Sequence, residues 1–257
     1  YKHVPLVEEN ELEGARNNVL GTQVVAEAAL ATGVERFILI STDKAVRPTS
    51  VMGMSKRIAE LVVESAQAKS VAAKSKFATV RFGNVLGSNG SVIPIFEKQI
   101  ERGGPVTVTD PLVTRYFMTV AEASSLVIQA SAMAADYSGV FVLDMGAPVQ
   151  ITLLAERLIV MSGKRPVYCT PTHADEIEIT FTGLKGGEKL REELFISVDK
   201  PMPTTHPRIL VADSTNLEDE FSDKLEMLYQ TLETCERPIE RDWRPFLVEF
   251  LSLVDGY

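Results

Sequence analysis

The sequence predicts an α/β protein, in which part of a doubly wound parallel sheet is followed by a smaller α+β portion. Residues 37–40 form a continuous apolar run, which is typical of a strand buried on both faces. A polar loop, a helical pattern over residues 51–70 and a second strand pattern over residues 76–82 follow. Strand, helix and strand in this order indicate a βαβ unit with a right-handed crossover. After residue 90 the elements are mixed, which indicates the α+β portion.

The other elements follow from local patterns along the chain. Residues 8–32 predict one long helix, with acidic residues near its start, where the helix dipole favours them, and Gly33 as its C-cap. Further helices are predicted at residues 91–102, 120–134, 151–162, 191–195, 217–236 and 243–254. Further strands are predicted at residues 106–109, 115–119, 139–144, 176–181 and 208–211. We expect a first domain over residues 1–90 and a second portion over residues 91–257, with residues 139–163 returning to the first.

Composition and charge narrow the classes of function. The net charge of −9 over 257 residues argues against a nucleic-acid partner, because phosphate binding by a protein surface needs clustered Lys and Arg. The three histidines and two cysteines lie apart without the spacing of metal ligands, so we expect no metal. No apolar run approaches the ~18 residues of a membrane span, so we expect a cytoplasmic chain without membrane contact of its own.

Residues 41–56 carry the densest polar chemistry, at the end of the first predicted strand. Asp43 and Lys44 leave that strand, and Met52 and Lys56 share one face of the following helix because they are four residues apart. In open α/β sheets, ligands bind at the carboxyl ends of strands, so these groups are candidates for proton transfer. The alternative is structural: Asp43 caps a turn, the lysines are solvated and Met52 lies in the core.

Two arginines and one glycine-rich turn are weaker candidates. Arg81 and Arg115 lie in or beside predicted strands, and Arg suits bidentate recognition of phosphate. For each of them a structural ion pair is an equal alternative. Residues 185–189 precede the helix predicted at residues 191–195, whose free amides would suit an anion. A plain turn is the alternative there.

Six motifs in chain order resemble those of one enzyme family. They are Ser41-Thr42-Asp43-Lys44-Ala45, Met52-x-x-x-Lys56, Arg81-Phe82-Gly83-Asn84-Val85, Ser91-Val92-Ile93-Pro94, Thr109-Asp110-Pro111-x-x-Thr114-Arg115 and Gly183-Leu184-Lys185-x-Gly187-Glu188-Lys189-Leu190. Together they resemble the nucleotide-sugar 4,6-dehydratases of bacterial polysaccharide biosynthesis, which are extended short-chain dehydrogenases/reductases. The UDP-N-acetylglucosamine 4,6-dehydratases are the most similar subgroup. The resemblance covers residues 1–208.

The resemblance implies a fold, a cofactor and a reaction. The fold would be Rossmann-like and bind NAD. Hydride would pass from C4 of the sugar to bound NAD, water would be lost across C5 and C6, and the hydride would return to C6. The product would be a UDP-4-keto-6-deoxy sugar, which regenerates NAD. Large members of the family are membrane-associated, so we expect the full-length protein to be membrane-anchored.

The resemblance also implies catalytic roles for residues 42–56. Thr42, Asp43 and Lys44 match the catalytic segment of the family. Asp43 would protonate the leaving C6 hydroxyl, and Lys44 would be the base at C5. Lys56 would bind the nicotinamide ribose and lower the pKa of neighbouring groups through its charge.

Two features depart from the wider superfamily. Met52 occupies the position of the usual catalytic Tyr, and Met cannot transfer a proton. Large, membrane-associated dehydratases of the family look similar in carrying Met there. Asp43, Lys44 or a water are then the candidates for taking the proton of the C4 hydroxyl. The glycine-rich dinucleotide fingerprint is absent from the sequence, so we interpret the chain as an N-terminally truncated fragment that by itself binds NAD poorly.

The ligand contacts follow by the same resemblance. The residues expected at NAD are Lys2, Asn18, Ser41 and Lys56. The residues expected at the UDP-sugar are Asn84, Val92, Thr109, Arg115, Lys185 and Glu188. Arg115 would meet the diphosphate and Glu188 a ribose hydroxyl, while Lys185 stands where the family frequently has Arg.

Two other functions are compatible with these residues. One is a nucleotide-sugar 4-epimerase of the same superfamily. The other is a catalytically silent regulator that binds NAD or a nucleotide sugar, against which the Asp43–Lys44 pair argues because a silent binder needs no such pair. By analogy with the family we expect a homo-oligomer, with a dimer face on the helices at residues 8–32 and 51–70.

Overall fold

Helices and strands alternate along the part of the chain that the computed structural model describes, which is residues 1–70, 75–137, 139–195, 201–212, 221–235 and 242–255. The strands are β1 Arg36–Ile40, β2 Lys76–Arg81, β3 Asn84–Val85, β4 Val106–Val108, β5 Thr114–Arg115, β6 Phe117–Met118, β7 Val140–Leu143, β8 Val149–Gln150, β9 Arg165–Val167, β10 Glu176–Phe181, β11 Met202–Pro203 and β12 Ile209–Ala212. The α-helices are α1 Val4–Glu8, α2 Glu11–Ala15, α3 Gly21–Thr32, α4 Val51–Lys69, α5 Val92–Glu101, α6 Val120–Met133, α7 Ile151–Met161, α8 Phe221–Thr234 and α9 Trp243–Asp255. None of the described helices has the length and apolar character of a membrane span.

A five-stranded sheet of order β1-β2-β7-β12-β11 organises the first part of the fold. β1 and β2 are parallel, with Arg36 opposite Lys76 and Ile40 opposite Val80. β2 is also parallel to β7. β12 is antiparallel to β7, and β11 is antiparallel to β12. Because α4 connects β1 to β2, the predicted βαβ unit and parallel sheet are confirmed.

A second sheet has the order β4-β10-β9 and is parallel throughout. Its apolar side chains pack with those of α5 and α7 in a separate core that includes Phe96, Val106, Ile159 and Ile177. Two short ribbons, β3 with β6 and β5 with β8, lie outside these sheets. The short edge strand β9 was not predicted, because three residues that include Pro166 give too little pattern.

The chain divides into two compact units. Unit 1 comprises Tyr1–Phe82, Ser125–Asp144 and Glu193–Tyr257, and unit 2 comprises Gly83–Ser124 and Met145–Glu192. This division differs from the expected one at residue 90. Pairing of β7 with β2, and of β12 with β7, holds the corresponding segments in unit 1. The sequence predicts that residues 139–163 belong to the first domain. Only those up to Asp144 lie in unit 1, because α7 packs in the core of unit 2.

The long helix predicted at residues 8–32 is wrong as a single element. Asn10 has a non-helical backbone conformation and its side-chain amide donates to the Leu6 carbonyl at 2.9 Å, so α1 ends and α2 begins around it. A π-helical turn, Arg16–Leu20, then joins α2 to α3. This turn contains Asn17 and Asn18, which are poor helix formers. Gly33 caps α3 with a left-handed conformation, as predicted.

The helix predicted at residues 191–195 is also wrong. The backbone of residues 191–195 is irregular. The Glu192 carboxylate lies 3.9 Å from Arg115, and Glu193 forms an ion pair with Arg47. Both side chains are therefore held by arginines outside the segment.

The extended segment predicted at residues 115–119 is two short strands, β5 and β6, which pair with different partners. The other predicted helices and strands are present, and their ends differ from the prediction by at most four residues within the described ranges. Residues 217–220 and 236, at the two ends of the helix predicted at 217–236, lie outside the described residues.

α4 is buried along most of its length. It begins where the Ser50 hydroxyl accepts a hydrogen bond from the backbone N–H of Gly53 at 3.0 Å, a standard N-cap arrangement. Its apolar side chains pack in a core with α1, α2, α8 and α9. The dimer face expected on residues 51–70 is therefore largely covered by the chain's own helices. On α3, Val24 and Val25 are exposed.

Candidate active site

The turn after β1 brings together three of the predicted catalytic residues. Asp43–Ala45 forms a single 3-10 turn, which is tied to the end of β2 because the Asp43 N–H donates to the Phe82 carbonyl at 3.1 Å. The Thr42 hydroxyl donates to Asp43 Oδ1 at 2.9 Å, and Lys44 Nζ donates to the same oxygen at 3.0 Å. Asp43 Oδ1 thus accepts hydrogen bonds from both neighbouring side chains.

The second oxygen of Asp43 has a different environment. The Asp43 side chain is fully buried, and its Oδ2 has no hydrogen-bond partner within the described residues. A buried carboxylate oxygen without a donor costs free energy, so such an atom requires an explanation, and catalysis is one. The Lys44 side chain, which pairs with Asp43, is 20% exposed. The arrangement supports proton transfer between this pair and a bound molecule.

Lys56 lies at the same end of β1. Its Nζ donates to the Ile40 carbonyl at 2.7 Å. Burial lowers the pKa of Lys56 below its usual value, and the negative charge of Glu60 offsets part of this effect. Gly53 allows the turn and α4 to approach each other, because a Cβ at this position would be 2.3 Å from the Lys44 carbonyl oxygen.

A buried carboxylate, Glu60, holds the ends of β1 and β2 together. Arg81 donates to its two oxygens at 2.8 and 2.6 Å, and Arg57 donates to it at 3.1 Å. The Ser41 hydroxyl donates to it at 2.5 Å. Burial alone would raise the pKa of Glu60, but the two guanidinium groups and the hydroxyl outweigh burial and lower that pKa to about 2. Arg81 is therefore in the structural ion pair that was the alternative to phosphate recognition.

The other residues expected at the cofactor side lie in different environments. Asn18, in the π-helical turn, is buried and donates to Ser55 Oγ and to the Tyr1 carbonyl, both at 2.9 Å. Lys2 is exposed. Met52 is 2% exposed and belongs to the core shared with α8 and α9, which is the structural alternative for that residue.

Sequence reasoning missed Glu60, Arg57 and Ser55. The available signal was an acidic residue inside the apolar pattern of α4, four residues after Lys56 on the same helix face. A charge at a core position is almost always paired, so a search for its partners among the neighbouring strands would have pointed to Arg81.

Unit 2 gathers three of the six residues expected at the UDP-sugar. Glu188 Oε1 accepts hydrogen bonds from Arg115 Nη2 at 3.0 Å and from the Thr109 hydroxyl at 2.9 Å. Arg115 is buried, and its guanidinium also donates to the carbonyls of Thr114 and Leu190. Arg115 is thus in an ion pair, which was the structural alternative for it as for Arg81. Beside a hydroxyl and a carboxylate, it also offers donors and acceptors to a ligand.

Lys185, Asn84 and Val92 complete the set in unit 2. The Lys185 N–H donates to Glu188 Oε2 at 3.3 Å, while the Lys185 side chain is exposed. Asn84 pairs with Phe117 across the β3–β6 ribbon. Val92 begins α5 and packs against the core of unit 2. Because no helix follows the glycine-rich turn, the anion site expected at a helix start there is absent from the described residues, and a plain turn is observed.

Comparison with protein families places most of the chain in one family. The family described as polysaccharide biosynthesis protein matches residues 1–214. The probable polysaccharide biosynthesis protein EpsC of Bacillus subtilis is 51% identical over 216 residues, which is 84% of this chain and 34% of EpsC. A UDP-glucose 4-epimerase of Rickettsia canadensis is 35% identical, over 77% of this chain and 54% of the epimerase. The chain thus spans about a third to a half of these relatives.

Solved structures show the same fold. The structure of Pen from Bacillus thuringiensis matches with a TM-score of 0.74 and 35% identity, over 83% of this chain and 63% of Pen. DesIV of Streptomyces venezuelae, a dTDP-glucose 4,6-dehydratase solved with NAD bound, matches with a TM-score of 0.60 and 18% identity, over 76% of this chain and 62% of DesIV. These likenesses confirm the predicted Rossmann-like α/β fold.

Proposed function

Because the chain belongs to the polysaccharide biosynthesis protein family, we propose that it carries the acid–base residues of an NAD-dependent 4,6-dehydratase. The substrate in this proposal is a UDP-N-acetylhexosamine, and specifically UDP-N-acetylglucosamine. The observation that supports it most is the Asp43–Lys44 pair at the carboxyl end of β1, with its 3.0 Å contact and with Asp43 Oδ2 left without a hydrogen-bond partner among the described residues. The subgroup whose motifs the sequence resembles supplies the choice of sugar.

The acid–base pair favours dehydration over epimerisation. Loss of water across C5 and C6 needs a base to take the C5 proton and an acid to protonate the leaving hydroxyl. Epimerisation at C4 needs neither of these groups. The similarity to a UDP-glucose 4-epimerase makes a 4-epimerase the second candidate. The buried Met52 does not separate the two candidates, because both reactions oxidise C4 and need another group to take the proton of its hydroxyl.

The residues present fit the nicotinamide side of NAD. Lys56 and Ser41 lie at the carboxyl end of β1, where dinucleotides bind in this class of fold, and the buried Asp43 Oδ2 leaves an acceptor for a bound group. In our proposal Lys56 and Ser41 hold this side, with Asn18 and Lys2 as further contacts. Bound there, NAD would supply the reversible hydride acceptor that oxidation at C4 and reduction at C6 of the sugar require.

The contact between Asp43 and Lys44 suggests how the pair is prepared. A proton that moves from Lys44 Nζ to Asp43 over 3.0 Å converts an ion pair into a neutral acid and a neutral amine. Lys44 then takes the C5 proton, and Asp43 donates its proton to the departing C6 oxygen. This restores the ion pair. Lys44 then returns a proton to C5 as hydride adds at C6, and it recovers its own proton from the water that took the proton of the C4 hydroxyl. Thr42 orients the carboxylate through its hydrogen bond to Oδ1.

Unit 2 supplies the nucleotide contacts in this proposal. Arg115 is the diphosphate ligand, since its guanidinium matches the geometry of phosphate oxygens. Glu188 and Thr109, which are hydrogen-bonded to each other, form hydrogen bonds with a ribose hydroxyl. Asn84, Val92 and Lys185 remain further predicted contacts of the UDP-sugar. The homo-oligomer and the membrane anchor of the full-length protein also remain predictions.

Two substitutions in the intact protein test the catalytic roles. We expect Asp43→Asn and Lys44→Ala each to lower the formation of keto sugar from UDP-N-acetylglucosamine by at least about 100-fold, because general acid–base catalysis contributes about 10²–10⁴. Circular dichroism should show an unchanged fold. The matched controls are Asp175→Asn, which alters an exposed carboxylate paired with Arg165, and Lys164→Ala, which alters an exposed amine. Turnover retained by the Asp43 or Lys44 variant would contradict the assignment.

A further inference from the structure

The C-terminal helices α8 and α9 lie beyond the part of the chain that the family description matches, which ends at residue 214. They nevertheless supply nearly half of the buried side chains in the core that covers α4, including Leu228, Trp243 and Leu247. Met52 and Met54 of the first turn of α4 belong to the same core. These helices are therefore part of the environment of the helix that carries Lys56.

Two polar contacts connect the start of α9 to the start of α4. Arg244 Nη1 donates to the Thr49 carbonyl at 2.7 Å, just before α4 begins. Arg244 Nη2 donates to Glu8 Oε2. The other oxygen of Glu8 accepts the backbone N–H of Val51, the first residue of α4, at 2.7 Å. Glu8 is thus a remote cap for α4, and Arg244 fixes its orientation.

The contact between Glu8 and Val51 supplies an acceptor that the start of α4 needs. The first N–H groups of a helix have no partner within the helix, and a carboxylate near them is favourable in charge. Ser50 satisfies the N–H of Gly53, and Glu8 satisfies that of Val51. α9 is placed by a similar contact, since Glu11 Oε2 accepts the Trp243 N–H at 2.9 Å.

We propose that Arg244 and Glu8 are positioning residues, through which α9 fixes the first turn of α4 and so the placement of Lys56 and of the Asp43–Lys44 turn that packs on Gly53. The catalytic consequence rests on the proposed dehydratase function, whereas the contact itself does not. Neither residue touches a reacting atom in this proposal. Their effect is to hold α4 in one position against the turn.

The test uses the intact protein with Arg244→Ala and Glu8→Ala. We expect kcat for keto-sugar formation to fall about tenfold with KM for the UDP-sugar unchanged, and hydrogen exchange of amides 51–54 to accelerate about tenfold, because losing a helix cap commonly has an effect of this size. Glu8→Gln should retain most of the activity, because its amide oxygen still accepts the Val51 N–H.

Arg16→Ala is the matched control. Arg16 anchors α8 through backbone carbonyls, for example by donating to Leu232 at 2.7 Å, and among the described residues its hydrogen bonds and ion pair involve no residue of α4. It should lower the unfolding temperature comparably while leaving kcat and the exchange of amides 51–54 as in the wild type. Unchanged exchange in Arg244→Ala, or an equal loss of kcat in Arg16→Ala, would overturn the proposal. A wild type that forms no keto sugar refutes the dehydratase instead, and the exchange measurement then decides the positioning contact alone.

Discussion

Two buried carboxylates near the end of β1 have opposite surroundings, and this difference supports the separate roles that we propose for them. Glu60 receives hydrogen bonds from two arginines and a serine, so both of its oxygens are engaged. Asp43 receives two donors on one oxygen and none of the described residues donates to the other. A fully paired carboxylate is suited to holding structure, whereas a carboxylate with a spare oxygen is suited to exchanging a proton.

The low pKa of Glu60 predicts how stability depends on pH. Its folded pKa of about 2 lies below the ordinary 4.5, so its contribution is present above pH about 4.5 and is lost as the pH falls towards 2. We expect the unfolding free energy of the wild type to exceed that of Glu60→Gln by a constant amount from pH 7 to about 5. By pH 3 this excess should shrink by about 2 kcal/mol.

Urea unfolding at several pH values measures this difference. Because Glu60→Gln leaves Arg81 and Arg57 buried without a counter-charge, the variant risks failing to fold. Ser41→Ala is the milder second variant, since it removes one hydrogen bond and leaves both ion pairs, and it should keep most of the pH dependence. An unfolding free energy that does not fall between pH 5 and pH 3 in the wild type and in Ser41→Ala would contradict the assignment.

At the scale of elements, the strand–turn–helix at residues 36–69 was predictable because its signals are local. An apolar run, a polar loop and a helix with Ser50 before it each occupy adjacent positions in the sequence. The irregular segment after residue 190 was not predictable, because Glu192 and Glu193 are held by arginines far away in sequence. For the same reason the sequence did not decide between the functional and the structural roles of Arg81 and Met52, because their contacts are made with residues that sequence spacing does not reveal.

A substitution at Gly53 tests the contact between the Asp43–Ala45 turn and α4. A Cβ at residue 53 would be 2.3 Å from the Lys44 carbonyl oxygen, so we expect Gly53→Ala to destabilise the fold by about 1–3 kcal/mol and to lower turnover. The matched control is Gly21→Ala, also in a helix, where nothing lies within 4 Å of the added atom. That change should stabilise by up to about 1 kcal/mol, as Ala is the better helix former. Equal stability of the two variants in urea unfolding would contradict the close approach.

At the scale of the whole molecule, the two units carry separable parts of the proposed function. The acid–base pair and Lys56 lie in unit 1, whereas Arg115, Thr109 and Glu188 lie in unit 2. Substitutions in the two units should therefore change different measurements: those in unit 1 should lower kcat, and those in unit 2 should weaken nucleotide binding.

Arg115→Lys tests the nucleotide side. We expect it to weaken UDP binding about tenfold, measured by isothermal titration calorimetry on the intact protein, because Lys keeps the charge but loses the bidentate geometry. NAD content should not change. Arg165→Lys is the control, since Arg165 pairs with Asp175 at an exposed site, where ion pairs contribute little. Equal UDP affinity in the two variants would contradict the role of Arg115.

The mass of the nucleotide-sugar product tests the central claim most directly. Intact protein incubated with UDP-N-acetylglucosamine in water should yield a product lighter by one water. In D₂O the product should carry one additional deuterium at C5, because the proton that Lys44 takes from C5 exchanges with solvent before a proton is returned there. A product of unchanged mass that has become the C4 epimer, or the recovery of substrate alone, would contradict a 4,6-dehydratase.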